Sequence, residues 1–337
     1  MAVHVLQGSQ LFSIAPLKGK TIAILGYGNQ GQAHAQNLRD SGLHVVVGSR
    51  PDGKSGAQAR RDGFQTLTIA EASHAGDLVI VGLPDQVQGE IYRQEIAPAL
   101  RSGSTLGFLH GYSIRYKLVN PQPGIGIVMV APKGPGRTLR ERFLEGRGLP
   151  ALLAVEQESG TNDARTMALA WAGGIGCGRA VVFETTMSDE TETDLFGEQA
   201  VLCGGMTYLI EAAFETLVNA GYPPELAYIE VCHEMKQIAD LVFTHGLAGM
   251  MRHISTTAEI GAHIAGPKLI TGETREHLAG ILRSIRDGNF AREAQADAHA
   301  HHSWLQSRRD RLSATTIETI GATLRPLLLP STPPNSP

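Results

Sequence analysis

The chain has 337 residues, with 29 Lys and Arg against 33 Asp and Glu and a net charge of −4. That length suggests about two domains of ~100–200 residues each, and the charge balance argues against a nucleic-acid surface spread over the whole chain and against a polybasic membrane anchor. Three cysteines, Cys177, Cys203 and Cys232, cannot all pair and form no C-x-x-C, which excludes a disulfide framework and a cysteine-only metal site.

Residues 1–10 lack the basic-then-apolar layout of a secretory leader. No apolar run approaches the ~18 residues of a membrane span. A cytoplasmic protein with no membrane partner is the expectation. Glycine is over-represented and skewed, with 27 glycines in residues 1–185 and 12 in residues 186–337.

The glycine-rich half reads as short apolar runs at 21–25, 44–47, 78–81, 105–109, 126–130, 151–155 and 180–183. Most are four to six residues long and nearly continuously apolar, as expected of strands buried on both faces. Helical patterns at 31–40, 87–100, 138–145 and 161–172 lie between them. This alternation predicts an α/β domain over 1–185 with a doubly wound parallel sheet. After about residue 188 the strand runs give way to apolar-periodic stretches at 192–219, from Pro223-Pro224 to about 245, at 275–287 and at 313–328. An all-helical domain over 186–329 follows from that pattern. Residues 330–337 hold four prolines and are expected to be a disordered tail.

The first run leads into Gly26-Tyr27-Gly28-Asn29-Gln30-Gly31 and then a helix, the G-x-G-x-x-G pattern in its strand–turn–helix setting. The first glycine permits the tight turn, the second admits a pyrophosphate to the backbone, and the third lets helix and strand pack. At the end of the second run stand Ser49-Arg50, then Lys54-Ser55. An arginine suits a 2′-phosphate, which points to NADP. Asp52 in the same loop would repel that phosphate and keeps NAD open.

Acids dominate the stretch from Asp189 to Glu198. A helix start accounts for Asp189, Glu190 and Glu192, because carboxylates complement the macrodipole there. It does not account for Asp194 and Glu198, which share a helix face and repel. Glu230 and Glu234 repeat that spacing in a segment that is apolar on most sides, where two like charges are costly unless paired or metal-bound. Lys236 or Arg252 could pair with them. Two such pairs fit a site for hard cations such as Mg²⁺ or Mn²⁺ better. Gln237 excludes the H-E-x-x-H zinc pattern that His233-Glu234 would begin. His110 and Lys133 each follow a strand run, at the end of the sheet where ligands bind.

These residues resemble ketol-acid reductoisomerase (acetohydroxy-acid isomeroreductase) of the short class. The resemblance runs from about residue 17 to 290. It is carried by the glycine loop, Ile96-Ala97-Pro98, His110-Gly111, the stretch Met129-Val130-Ala131-Pro132-Lys133-Gly134-Pro135-Gly136, the acidic stretch Glu192-Thr193-Asp194-Leu195-Phe196-Gly197-Glu198-Gln199, and Ser255-Thr256-Thr257-Ala258-Glu259. It implies an NADPH-binding domain, a knotted helical domain, and an obligate homodimer with shared active sites, with higher oligomers open. Asp194 and Glu198 would bind Mg²⁺ from one subunit, and Glu230 and Glu234 from its partner. His110 and Lys133 match the family's active-site histidine and lysine, and Ser255 would touch the substrate carboxylate. Tyr27, Gln30, Arg50, Ser55, Asp85, Gln86, Val87, Gln88 and Gly136 match cofactor contacts, with Gly26, Gly28, Asn29 and Gly31 completing the loop.

The implied reaction begins with a Mg²⁺-dependent alkyl migration in 2-acetolactate or 2-aceto-2-hydroxybutanoate. Two Mg²⁺ ions would polarise the carbonyl, and Glu230 would take the hydroxyl proton. Hydride from NADPH then yields the 2,3-dihydroxy acid of valine and isoleucine synthesis. Several positions depart from the family pattern. Gly53 replaces a phosphate-binding serine, so NADH stays open, and Asn29, Ile260 and Ala262 also differ. A paralogue acting on another ketol acid, a metal-free hydroxy-acid dehydrogenase using Lys133 as acid, and a nucleotide-sensing module without turnover are the rival readings.

Overall fold

The structure, a computed structural model, describes residues 4–8, 10–160 and 163–328. The proline-rich tail at 330–337 lies outside the described residues. The chain divides into two units, the first ending at Thr193 and the second beginning at Asp194.

Among the described residues the first unit is built on nine strands: β1 (His4–Leu6), β2 (Thr21–Leu25), β3 (His44–Gly48), β4 (Gln65–Leu67), β5 (Leu78–Val81), β6 (Thr105–Phe108), β7 (Gly126–Pro132), β8 (Ala151–Gln157) and β9 (Val182–Glu184). They form one sheet in the order β1-β9-β8-β7-β6-β5-β2-β3-β4. Pairing from β4 through β3, β2, β5 and β6 to β7 is parallel throughout. The strand order reverses around β2, which creates a switch point between β2 and β5 where such sheets bind ligands.

Each of the seven expected runs falls on a strand. The expected parallel sheet spans β4 to β7, and antiparallel pairs extend it: β8 runs antiparallel to β7, and β1 antiparallel to β9. The connection from β7 to β8 contains one helix, Gly136–Leu144, and returns the chain along the neighbouring strand rather than crossing over. Strands β1 and β4 are three residues each, too short to register as apolar runs.

Strand alternation splits the core between the two sheet faces. Ile22 and Ile24 join Trp171, Leu38 and Val128 in one cluster, while Ala23 and Leu25 join Ile69, Ile96 and Phe108 in the other. Burying each large aliphatic side chain is worth ~1.5–3 kcal/mol, so the continuous apolar strands stabilise both helix layers at once. Cys177 sits wholly within the first cluster, and all three cysteines are free thiols.

Among the described residues the second unit is helical throughout. The expected 192–219 stretch is interrupted: helix Met187–Gly197 passes into a wide turn at Glu198–Leu202 before helix Gly204–Asn219 begins. The next stretch is divided likewise, into Pro224–Tyr228, a wide turn at Ile229–His233, and Met235–Arg252. Helices Thr256–Leu269, Gly272–Arg286, Asn289–His299, Ser303–Ser313 and Thr316–Leu328 complete the unit. Its small core gathers Phe214, Ala227, Tyr228 and Ile317.

One helical run, Met187–Asn219, is long and apolar enough by length and composition to cross a membrane, with a window of mean hydropathy 1.4. The run is not continuously apolar, because Glu211 and Glu215 interrupt it, but its average hydropathy tolerates both.

Candidate active site

The glycine loop joins β2 to helix Asn29–Asp40. Gly26 has φ +92°, and a Cβ there would lie 2.8 Å from the Gly82 carbonyl oxygen. At Gly31 a Cβ would lie 2.3 Å from the Gly26 carbonyl oxygen, so the helix can start this close to the strand only without a side chain. Gly28 differs: a Cβ there would meet nothing within 4 Å. It faces open space, as a loop that admits a ligand to its backbone must. Gly28 also precedes the helix as its N-cap, with no side-chain cap on the first-turn N–H groups. That helix end favours an anion.

The loop is braced against the segment after β7. Gly136 opens helix Gly136–Leu144 so close to the loop that a Cβ would lie 2.0 Å from the Asn29 carbonyl oxygen. Gln30 Nε2 donates to the Gly134 carbonyl at 2.9 Å, and Gln30 Oε1 is buried without a hydrogen-bond partner. A buried acceptor left unpaired is expensive, and a cofactor N–H would satisfy it. Open space at Gly28, an uncapped helix end and this orphaned oxygen together fit a dinucleotide.

Other expected cofactor residues take different positions. Tyr27 is buried, and its hydroxyl donates to Asp62 rather than facing the open side of the loop. Arg50 and Asp52 are exposed in the turn after β3, where the Gly53 N–H donates to the Arg50 carbonyl at 3.0 Å, and Lys54 and Ser55 are exposed at the start of helix Lys54–Arg61 that follows. Asp85, Gln86, Val87 and Gln88 form the first turn of helix Asp85–Ile91, after β5. Gln88 is buried and holds the Leu83 carbonyl, the Asp85 carboxylate and the Ser113 hydroxyl.

His110 and Lys133, which follow β6 and β7, meet on one carboxylate that the sequence had assigned to helix electrostatics. His110 Nδ1 lies 2.8 Å from Glu190 Oε2, and Lys133 Nζ donates to Glu190 Oε1 at 2.7 Å. The Gly111 N–H donates to Oε2 at 3.0 Å. The Glu190 side chain is 1% exposed. Burial pushes its carboxyl up, but His110 and Lys133 outweigh that effect and hold it down at about 2. An ionised carboxylate accepts only, so it fixes Nδ1 as the protonated ring nitrogen of His110. Arg115 pairs at 2.8 Å with Glu192, on the same helix as Glu190, and both partners are partly buried.

Glu190 is the functional residue missed at the sequence level. The sequence carries a signal for it: Asp194 and Glu198 follow it at four-residue intervals, so all three acids share one helix face.

The four expected metal ligands all lie in the second unit. Asp194 is partly buried, and Glu198, Glu230 and Glu234 are exposed. The expectation that Glu230 and Glu234 occupy a largely buried helix is therefore incorrect for a single chain. Lys236 pairs with Asp240, not with either of them. Among the described residues the four acids do not form one cluster. Glu198 opens one wide turn and Glu230 lies inside the other; across them the Cys203 N–H bonds to the Glu198 carbonyl and the Glu234 N–H to the Ile229 carbonyl, each five residues back. Such turns inside helices occur frequently at functional sites. The first needs its glycines: a Cβ on Gly204 would lie 2.0 Å from the Gln199 carbonyl oxygen, and one on Gly205 2.2 Å from that of Ala200. Ser255 is the N-cap of helix Thr256–Leu269, its hydroxyl accepting from the Ala258 N–H at 3.1 Å.

Comparison with known proteins decides the family. Residues 16–181 match the family described as acetohydroxy acid isomeroreductase, NADPH-binding domain, and residues 187–329 match the ketol-acid reductoisomerase C-terminal domain. The chain belongs to the ketol-acid reductoisomerase family. A solved NADH-preferring ketol-acid reductoisomerase from an uncultured archaeon is 41% identical, with a TM-score of 0.92 over 96% of this chain and 99% of that one.

More distant structures share the fold alone. A semialdehyde dehydrogenase NAD-binding protein from Cupriavidus necator is 21% identical with a TM-score of 0.60, covering 80% of this chain and 99% of its own. A pyrroline-5-carboxylate reductase from Coxiella burnetii is 18% identical with a TM-score of 0.52, covering 81% and 98%. As a ketol-acid reductoisomerase, the chain combines oxidoreductase and isomerase character with a Rossmann-type nucleotide domain.

Proposed function

We propose that the enzyme converts 2-acetolactate, or 2-aceto-2-hydroxybutanoate, to the corresponding 2,3-dihydroxy acid in valine and isoleucine biosynthesis in the cytoplasm. The observation that carries this reading is the Glu190 carboxylate bridging His110 and Lys133 at the carboxyl ends of β6 and β7. Residues 1–185 serve the nucleotide, and residues 186–329 serve metal, substrate and dimer formation.

Asp194 and Glu198, with Glu230 and Glu234 from the partner subunit, would hold two Mg²⁺ ions. The all-oxygen, all-anionic donor set fits a hard cation. When bound, Mg²⁺ supplies Lewis-acid polarisation of the substrate oxygens. Glu230 takes the substrate hydroxyl proton before the alkyl shift. Lys133 and His110, held by Glu190, orient the ketone oxygen and stabilise the alkoxide that hydride delivery creates. Ser255 and the N-terminal amides of helix Thr256–Leu269 receive the substrate carboxylate, an anion favoured at a helix N-terminus.

NADPH is the assigned reductant, because Arg50, Lys54 and Ser55 offer charge and hydrogen bonds to a 2′-phosphate. NADH is the second reading. Asp52 can bind ribose hydroxyls, Gly53 offers no side chain, and the 41%-identical archaeal enzyme is NADH-preferring.

The enzyme is proposed to be an obligate homodimer with shared active sites and a knotted helical domain, and higher oligomers can build on that dimer. The second unit leaves Phe243 92% exposed and Leu247 73% exposed, with Leu209, Tyr208 and Ile264 also uncovered. Patches of this kind mark contact surfaces. The apolar face of the Met187–Asn219 run belongs to that contact, not to a membrane.

The deciding assay follows oxidation of NADPH and of NADH with 2-acetolactate, with and without Mg²⁺. Mg²⁺-dependent oxidation abolished by EDTA is expected. EDTA-insensitive turnover of a hydroxy acid would favour a metal-free dehydrogenase, and nucleotide binding without turnover a sensing module. Turnover of a different ketol acid alone would identify a paralogue.

A further inference from the structure

We infer that Asp62 is a positioning residue for the cofactor, one carboxylate that ties the glycine loop to the helix carrying the ribose-recognition turn. This rests on the nucleotide-binding reading of the first unit.

Asp62 directly follows helix Lys54–Arg61. Its Oδ2 accepts from the Tyr27 hydroxyl at 2.7 Å, from Gln32 Nε2 at 3.1 Å and from Gln36 Nε2 at 3.3 Å, while Oδ1 accepts from Gln58 Nε2 at 2.7 Å. Arg39 donates to the Asp62 main-chain carbonyl at 2.7 Å. These donors come from three places: the loop itself, the helix after it, and the helix that begins with Lys54 and Ser55.

Tyr27 stands between Gly26 and Gly28, two residues with the least intrinsic preference for any backbone conformation. The Tyr27 side chain is therefore the anchor for that turn. Its ring is buried and packs on Phe64 at 5.6 Å, and Arg39 lies 4.7 Å from the Phe64 ring. Gln58 lies one turn after Lys54, so its bond to Asp62 holds that short helix from its far end.

The choice of residue also fits. An ionised carboxylate offers about four lone-pair sites and no donor, whereas an asparagine offers half that acceptor capacity and adds two donors. Four donors converging on one group therefore select Asp over Asn. The Asp62 carboxyl is held below its ordinary range, foremost by the Tyr27 hydroxyl and also by the three glutamines, with burial acting the other way.

The two branches make different predictions. The glycine loop faces the pyrophosphate, which NADPH and NADH share. The Lys54–Ser55 turn faces the 2′-position, where they differ. Tyr27→Phe removes one hydroxyl and is expected to weaken both cofactors equally, by about fivefold. Gln58→Leu is expected to weaken NADPH by about fivefold and NADH by less than twofold. Asp62→Asn is expected to combine both effects, and Tyr27→Phe with Asp62→Asn together to be no worse than Asp62→Asn alone, as for groups acting through one contact.

The assay is a fluorescence titration of the purified full-length enzyme with each cofactor, with a thermal melt of every variant. Lower melting temperatures with unchanged dissociation constants would overturn the inference, since a purely structural carboxylate behaves that way. Additive losses in the double variant would overturn it too. If Asp62→Asn does not fold, Tyr27→Phe and Gln58→Leu carry the test through the difference between their cofactor profiles. Failure of the nucleotide reading itself would look different, because the wild-type enzyme would then bind neither cofactor.

Discussion

Glu190→Gln preserves side-chain volume and removes one buried charge. In the folded enzyme the Glu190 carboxyl is held at about 2 against an ordinary value of 4.5, with burial opposing and His110 and Lys133 prevailing. At ~1.36 kcal/mol per unit of difference, that gap corresponds to about 3 kcal/mol of stability. Removing one partner of a buried ion pair costs ~3–5 kcal/mol, a comparable figure. The sign follows from the direction: a carboxyl lowered by folding stabilises the protein fully above its unfolded value of 4.5 and loses that contribution as pH falls towards about 2. Thermal melts of wild type and variant should therefore differ by roughly 6–12 °C near neutral pH, at ~2–4 °C per kcal/mol for a unit of this size. The difference should shrink as the solution is acidified below 4.5, because the wild type surrenders what the variant never had. Turnover should fall as well, since His110 and Lys133 lose the group that orients them. A variant melting with wild type near neutral pH, or a difference that stays constant into acid, would refute the assignment of Glu190 as the charged hub of the site.

Gly31→Ala should weaken cofactor binding at least tenfold in a fluorescence titration, because its Cβ would lie 2.3 Å from the Gly26 carbonyl oxygen and push the helix off the loop. Overpacking of this kind costs ~1–3 kcal/mol, so a lower melting temperature should accompany it. Gly204→Ala should disrupt the wide turn after Glu198, since its Cβ would meet the Gln199 carbonyl at 2.0 Å. Calorimetric titration with Mg²⁺ should show weakened binding, while Gly266→Ala, where nothing lies within 4 Å, should match wild type. Equal Mg²⁺ affinity in both variants would separate the turn from the metal site.

How much was legible in the sequence differed by element. The strand runs at 21–25 and 78–81 coincide with β2 and β5 to the residue, because strands buried on both faces must be continuously apolar. The glycine loop was readable since its backbone demands are local. Strand direction was not: β7 and β8 carry the same apolar character whether paired parallel or antiparallel, and only the return path of the chain decides. The wide turns were hidden for a related reason. An extra residue in a helix shifts its apolar face without changing composition, so nothing in the apolar pattern marks it.

The sequence by itself determined the two-part architecture, the nucleotide loop and the family, because each is written in local periodicity or in contiguous motifs. Tertiary structure alone decided which charges meet. Glu190 looked like a helix-start acid until the fold carried it to His110, 80 positions away, and to Lys133, 57 away. Asp62, which no sequence motif singles out, meets Tyr27, 35 positions distant, only through the fold. The physical reason is common to both. A carboxylate's neighbours along the chain set its local preference, but its charge state and role come from the donors that surround it in space. Those donors are chosen by how strands and helices pack, not by their order.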